Sequence, residues 1–141
     1  MHNVVFLKSR ADVQHLKGGE IIASENPELL KESLHRHPRS IDPTLVRSFY
    51  RQEGLVVLAK DAGVPFQLPL LPVLRSFGSK RARLFYEYRR FLKLCGKKKA
   101  GFSLVLVPEN EFDKKSAREL EAVATVFFGF TTQQAKAHFT A

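Results

Sequence analysis

Two short strand-like runs occur in the first third of the chain, the apolar run at 4–7 and the mainly apolar run at 20–23, and each is followed by a helix-start signal. Ser9 with Asp12 three residues on resembles a capping box, and Asn26-Pro27 gives an N-cap with proline at the first helical position. Strand, cap and helix in repeated succession predict parallel β-α architecture.

The middle of the chain has a less regular pattern. A polar stretch at 35–38 precedes Asp42-Pro43, which predicts a third helix with Leu45, Val46, Phe49 and Tyr50 packed inward and Gly54 at its end. The β-branched run 55–59 indicates a buried parallel strand. Prolines throughout 60–71 predict a loop there rather than a central strand.

The longest helical pattern lies within 75–99. Its apolar residues fall on one stripe of a 3.6-residue period, namely Leu84, Phe85, Tyr88, Phe91, Leu92 and Cys95. The opposite side carries Arg83, Tyr86, Arg90, Lys93 and Lys97, with Arg89 at the margin. We therefore predict a helix that packs one face against the core and exposes a row of cations on the other.

The last third of the chain begins with the strongest strand signal, FSLVLV at 102–107. Capping boxes at Ser116 with Glu119 and at Thr131 with Gln134 then predict two closing helices, the second with Ala135 and Phe139 on its buried face. The whole pattern predicts one α/β domain over 1–141, with about five parallel strands.

Charge is concentrated in the same long helix. Residues 75–99 contain ten Lys or Arg and one acid, Glu87, a local balance of +9, and the whole chain also sums to +9. Cations at helical spacing can neutralise successive phosphates, so nucleic acid is the expected partner. A solvated helix face is the alternative, but such faces usually mix their signs, and here Tyr86 stands among the cations. A membrane surface is a weaker alternative.

Candidate catalytic chemistry is sparse. The sequence has no glycine-rich phosphate loop, no nucleophile elbow and no paired cysteines, and its single Cys95 reads as a small buried hydrophobe. His35, His37 and Asp42 support only a hypothesis of a small metal-dependent hydrolase, since Asp42 is well explained as a helix cap. No apolar run reaches the roughly 18 residues that span a bilayer, and no secretory signal is evident, so we expect a cytoplasmic protein.

Three segments in order resemble the TIM-barrel-type protein subunit of archaeal and eukaryotic ribonuclease P. They are SIDPTLVRSFYRQEGLVVLA at 40–59, LPVLRSFGSKRARLFYEYRRFLKLCGKKKAGFSLVLVPEN at 71–110, and DKKSARELEAVATVFFGFTTQQAKAHF at 113–139. The resemblance implies a non-catalytic subunit without a cofactor of its own. It would pair with a second small protein subunit and support a catalytic RNA, which binds magnesium and removes the 5′ leader of precursor tRNA.

The resemblance also places basic residues. Arg75, Arg81 and Arg83 match basic positions of the family pattern, as do Arg118 and Lys115, although lysine lacks the planar fork of the family's arginine. With the cationic helix face, the predicted RNA-binding residues are Arg75, Lys80, Arg81, Arg83, Tyr86, Arg89, Arg90, Lys93, Lys97, Lys98, Lys99, Lys115 and Arg118. Arg81 could instead pair with a carboxylate such as Glu111.

The chain departs from the family pattern in three ways. The family's N-terminal strands are short or missing, residues 61–72 look like an insertion, and VPEN at 107–110 replaces the family's small-residue motif. About five strands do not close a TIM barrel, so we expect a reduced or incomplete barrel. Its open sheet edges would be completed by a partner or by self-association. A general RNA- or DNA-binding adaptor is the alternative function.

Overall fold

The fold is that of a computed structural model, which describes residues 4–105 and 139–140. Six strands form one sheet in which every neighbouring pair is parallel and the spatial order follows the chain. The strands are β1 Val4–Phe6, β2 Ile21–Ala23, β3 Ser40–Asp42, β4 Phe66–Pro69, β5 Phe102–Val105 and the two-residue β6 Phe139–Thr140.

Between β1 and β5 the described residues form five α-helices: α1 Arg10–Gln14, α2 Pro27–Ser33, α3 Glu53–Ala62, α4 Leu71–Arg75 and α5 Gly78–Lys98. Two short 3₁₀ turns, Leu34–Arg36 and Phe49–Arg51, lie before β3 and before α3. Neighbouring helices of the described residues pack on each other: α1 on α2, α2 on α3, and α5 on both α3 and α4. The predicted α/β class is confirmed, as a reduced TIM-like arrangement.

Both helix-start signals in the first third are confirmed. The Asp12 carboxylate accepts hydrogen bonds from the backbone N–H groups of Lys8 and Ser9, at 2.7 and 3.1 Å. The Asn26 side chain accepts one from the Glu28 N–H at 3.0 Å, with Pro27 opening α2. These contacts satisfy N–H groups at the helix starts that have no partner inside the helix.

The predicted helix after Asp42 is wrong. Asp42 ends strand β3, and its carboxylate accepts hydrogen bonds from the N–H and hydroxyl of Thr44 at 2.9 and 2.6 Å. This side-chain turn stabilises a loop instead of a helix. Only the Phe49–Arg51 turn forms there, and Gly54 lies in the first turn of α3 instead of ending a helix.

The predicted strand at 55–59 is also wrong, because these residues belong to α3. Leu55, Val56 and Ala59 are buried, whereas Val57 and Leu58 are exposed. The buried positions follow the 3.6-residue period of a helix face. The sequence pattern favoured a strand because the run contains two β-branched valines.

The predicted proline-rich loop contains an internal strand, β4, so this prediction is wrong as well. Phe66 and Leu70 donate backbone hydrogen bonds to Gly101 and Val105 beside or on β5, both at 2.8 Å. Successive residues of a strand point their N–H groups to opposite neighbours. At Pro69 the position of the backbone N–H, which proline lacks, faces β3 and not β5. Because the pairing of β4 with β3 involves only Phe66, no hydrogen bond of the sheet is lost at Pro69.

At the end of the chain, β6 pairs in parallel with β5, Phe139 opposite Leu104 and Thr140 opposite Val105. The prediction that Phe139 lies in a helix is wrong. The capping boxes at Ser116 and Thr131 lie outside the described residues, as do Glu111, Lys115 and Arg118.

The core lies between the sheet and the helices. α5 contributes Tyr88, Phe91, Leu92 and Cys95, all buried as predicted. The Phe91 ring packs edge-on against Phe66 of β4, with ring centroids 5.0 Å apart. Burial raises the pKa of the Cys95 thiol to about 12, which keeps it protonated and unreactive at neutral pH.

Candidate nucleic-acid interface

The amphipathic helix predicted within 75–99 is confirmed as α5, which starts at Gly78 and ends at Lys98. Arg75 precedes it, at the end of α4, and Lys99 follows it in a left-handed conformation. Most of the predicted RNA-binding side chains on α5 are exposed, namely Lys80, Arg83, Tyr86, Arg89, Arg90, Lys93, Lys97 and, just beyond, Lys99. The cationic face and the buried face therefore lie on opposite sides of one helix.

An open groove of 510 Å³ runs along this exposed face, between α5 and the Phe49–Arg51 turn. It is lined by Tyr50, Tyr86, Arg89, Arg90, Lys93, Leu94 and Lys97. Among the described residues of this lining, four side chains are cationic, two are aromatic and none is acidic. Cations concentrated in one groove in this way favour a polyanionic ligand.

Arg90 joins the two tyrosines of the groove. Its Nη1 donates a hydrogen bond to the Tyr86 hydroxyl at 2.8 Å, and this bond raises the pKa of Arg90 above its ordinary value. The Arg90 guanidinium carbon lies 5.4 Å from the Tyr50 ring centroid and 5.7 Å from that of Tyr86. Both distances are within the range of cation–π attraction. The Arg51 guanidinium lies 5.5 Å from the Tyr50 centroid as well.

The core holds the far wall of the groove in place. Phe49 is buried and meets Tyr50 edge-on, with centroids 5.9 Å apart, and it also packs on Phe91 of α5 at 5.5 Å. The Tyr50 and Tyr86 rings meet at 6.2 Å with an interplanar angle of 67°. Edge-to-face contacts of this kind are favourable, so the two tyrosines form a fixed pair.

The sequence pattern did not identify Tyr50 as a groove residue, nor Arg51 as a cation beside the Tyr50 ring. It predicted that Tyr50 packs in a helix that does not form, and nothing in the local pattern pairs Tyr50 with Tyr86. The one available signal was an aromatic residue directly followed by arginine.

Some of the predicted RNA-binding cations also contact carbonyl or carboxylate oxygens of the protein itself. Arg81 donates hydrogen bonds to the carbonyl oxygens of Val73 and Leu74, at 3.3 and 2.6 Å, and so closes the end of α4. Lys98 forms an ion pair with Glu53 of α3 at 2.6 Å. Arg83 lies 3.7 Å from Glu87, one turn along α5.

The residues of the metal-hydrolase hypothesis do not come together. His35 and His37 lie in and after the 3₁₀ turn that precedes β3, whereas Asp42 lies at the opposite, carboxyl end of that strand. Within the described part of the chain, no group of three or more His, Cys, Asp or Glu side chains could hold a metal ion. Burial raises the pKa of Asp42, an effect that the two Thr44 hydrogen bonds partly offset.

Among residues 4–105, no helix combines the length and the apolar character that crossing a membrane requires. In comparisons with known proteins, no family model and no curated sequence matches this chain. The likeness to the ribonuclease P subunit therefore remains a prediction from the residues.

Proposed function

We propose that this protein is a non-catalytic RNA-binding protein and that the groove along α5 is its RNA-binding surface. The observation that carries the proposal is a groove whose described lining brings Arg89, Arg90, Lys93 and Lys97 beside two tyrosines. Residues three or four apart on a helix are about 5–6 Å apart, so these cations can contact successive phosphates. Neutralising phosphates releases their counterions, which favours binding and makes it salt-dependent.

More specifically, we propose a protein subunit of ribonuclease P. The three resembling segments occur in the family's order, and the sheet has the sequential parallel strand order of a TIM-type fold. In that role the chain supports a catalytic RNA, which itself binds magnesium and removes the 5′ leader of precursor tRNA. Partners would be this RNA, the precursor tRNA and a second small protein subunit.

The sheet offers a place for a protein partner or a second copy. In the described part of the chain, β1 is one of the two outer strands of the sheet and pairs only with β2. An outer strand presents unpaired backbone groups to another chain. Analytical ultracentrifugation of the purified chain, alone and with candidate subunits, measures which of these associations forms.

The first test is the salt dependence of binding to a structured RNA. In Lys93→Glu/Lys97→Glu we expect weaker binding and a slope of log K against log salt that is shallower by about 0.7–0.9 per lost contact. The matched control is Lys17→Glu/Arg36→Glu, which changes the net charge equally at two exposed positions outside the groove. Equal losses in the two double variants would contradict the placement of the surface.

The second test separates a ribonuclease P subunit from a general RNA- or DNA-binding adaptor. The chain is added to ribonuclease P RNA and the other subunits from the native cell, and cleavage of the precursor tRNA leader is measured. We expect added wild-type chain to increase cleavage and Lys93→Glu/Lys97→Glu to increase it less. RNA binding without any effect on cleavage would favour the adaptor.

A further inference from the structure

We infer that the groove binds an unpaired segment of RNA, with one base stacked on Tyr86 and its backbone held by the neighbouring cations. This inference rests on the proposed RNA-binding function and specifies its ligand. Two features of the groove support it, namely the exposed ring of Tyr86 and the planar and cationic groups around that ring. A property of RNA supports it as well, because only unpaired bases are free to stack on a protein ring.

Tyr86 is exposed although it lies on a helix with a well-packed face. Tyr86 is 53% exposed, whereas Tyr88, two residues further on, is only 1% exposed. The hydrogen bond from Arg90 and the edge contact with Tyr50 nevertheless hold the Tyr86 ring in one position. Since the ring is already ordered, little conformational entropy is lost when a ligand stacks on it.

The surroundings of Tyr86 suit a nucleotide. Unpaired bases stack on aromatic rings and on arginine guanidinium planes, and Tyr86 and Arg90 present both kinds of surface in one groove. Lys93 and Lys97 continue along the same groove toward the end of α5, where they can contact successive phosphates on one side of the stacked base. The groove volume of 510 Å³ is within the about 300–1,000 Å³ typical of ligand pockets.

The Tyr86 ring also distinguishes unpaired from paired RNA. Bases inside a duplex stack on each other and cannot stack on a protein ring, so a duplex could use only the cations of the groove. An unpaired strand can use both the cations and the ring. The same cations would attract an acidic peptide, but such a peptide has no flat base to stack on Tyr86.

The test uses the full chain and three RNA probes of equal length. The first is a single-stranded oligonucleotide, the second is the same strand with its central nucleotides abasic, and the third is a perfect duplex. Binding is followed by fluorescence anisotropy and by tyrosine emission, because the chain has three Tyr and no Trp. We expect the intact strand to bind about five- to a hundredfold more tightly than the abasic strand, and to quench tyrosine emission.

Two substitutions at one position then isolate the ring. Tyr86→Leu is expected to bind the intact and abasic strands equally, with an unchanged salt slope, because the phosphate contacts remain. The matched control, Tyr86→Phe, retains the ring and is expected to keep the preference for the intact strand. Because Tyr86 is exposed, neither change should unfold the protein, which circular dichroism checks.

Each contrary outcome has a distinct meaning. If none of the probes binds, the proposed RNA-binding function itself fails. If the wild-type chain binds the abasic strand or the duplex as tightly as the intact strand, the stacking inference is overturned while RNA binding stands. If a poly-glutamate peptide of equal charge competes as well as the intact strand, the groove is a site for acidic protein segments and the inference is also overturned.

Discussion

The hydroxyl of Tyr88 donates a 2.6 Å hydrogen bond to the backbone carbonyl of Pro69, which joins α5 to β4. Burial raises the pKa of Tyr88 far above its ordinary value, and the charges of Asp42 and Glu87 act in the same direction, so the hydroxyl remains a donor. At 100° per residue, positions 86, 90, 93 and 97 face outward when position 88 faces the sheet. This buried bond therefore helps to set which residues line the groove.

Tyr88→Phe should lower the free energy of unfolding by about 1–3 kcal/mol, because it leaves the Pro69 carbonyl without this partner. Urea denaturation measures the change. The control is Tyr86→Phe, which also deletes one hydroxyl from α5 but at an exposed site, and it should change stability by less than about 0.5 kcal/mol. Equal effects of the two substitutions would show that the Tyr88 bond has no special role.

Asp42→Asn should be at least as stable as the wild type at neutral pH, and this advantage should shrink as the pH falls. Because burial raises the pKa of Asp42 in the folded state, folding favours the protonated acid. The ionised Asp42 carboxylate therefore lowers the free energy of unfolding of the wild type. This loss of stability is fully present above the folded-state pKa of Asp42 and absent below its unfolded-state pKa. Urea titrations at neutral pH and near pH 4 measure it, and asparagine keeps an oxygen that can accept the Thr44 hydrogen bonds.

Asp12→Asn is the control of opposite sign for that experiment. The backbone N–H of Lys8, with that of Ser9, lowers the pKa of Asp12, an effect that its limited desolvation opposes only in part. The ionised Asp12 carboxylate therefore stabilises the folded protein at neutral pH, and this stabilisation is lost as the pH falls through the folded-state pKa of Asp12. If both variants showed the same trend with pH, the contrast between the two carboxylates would be wrong.

Arg81 should contribute to stability more than to RNA binding. Arg81→Gln removes two hydrogen bonds to the end of α4 and should cost about 1 kcal/mol of unfolding free energy. Arg83→Gln is the matched control, since it removes the same charge two residues away, where only a long contact to Glu87 is lost. RNA affinity measured on the folded proteins should fall no further for Arg81→Gln than for Arg83→Gln. A larger fall would place Arg81 at the RNA.

Glu53→Gln removes the ion-pair partner of Lys98 and should make Lys98 available to the RNA. The slope of log K against log salt should then become steeper by up to about 0.7, the change expected for one phosphate contact to a single strand. The cost in stability should be small, because the ion pair is partly exposed and screened by solvent. Glu28→Gln removes the comparable pair with Lys31 on α2 and should leave RNA binding unchanged. An unaltered salt slope in Glu53→Gln would show that Lys98 does not reach the RNA.

Local chemistry made part of this structure predictable. The two faces of α5 follow from spacing and charge within one segment, and the starts of α1 and α2 follow from side chains within four residues of each other. The parallel α/β class follows from the same repetition of strand, cap and helix. In each case the groups that interact lie close together in the sequence.

A basic amphipathic helix on a parallel α/β scaffold could thus be predicted from local pattern, because a periodic pattern is a property of the segment that carries it. The internal position of β4, the contact of Tyr50 with Tyr86 and the ion pair of Lys98 with Glu53 could not, because they arise only in the folded chain. Each of those depends on which distant segments become neighbours. Which segments become neighbours depends on packing over the whole core. In the 55–59 run, the burial of one helix face stabilises a helix more than the β-branched residues favour a strand.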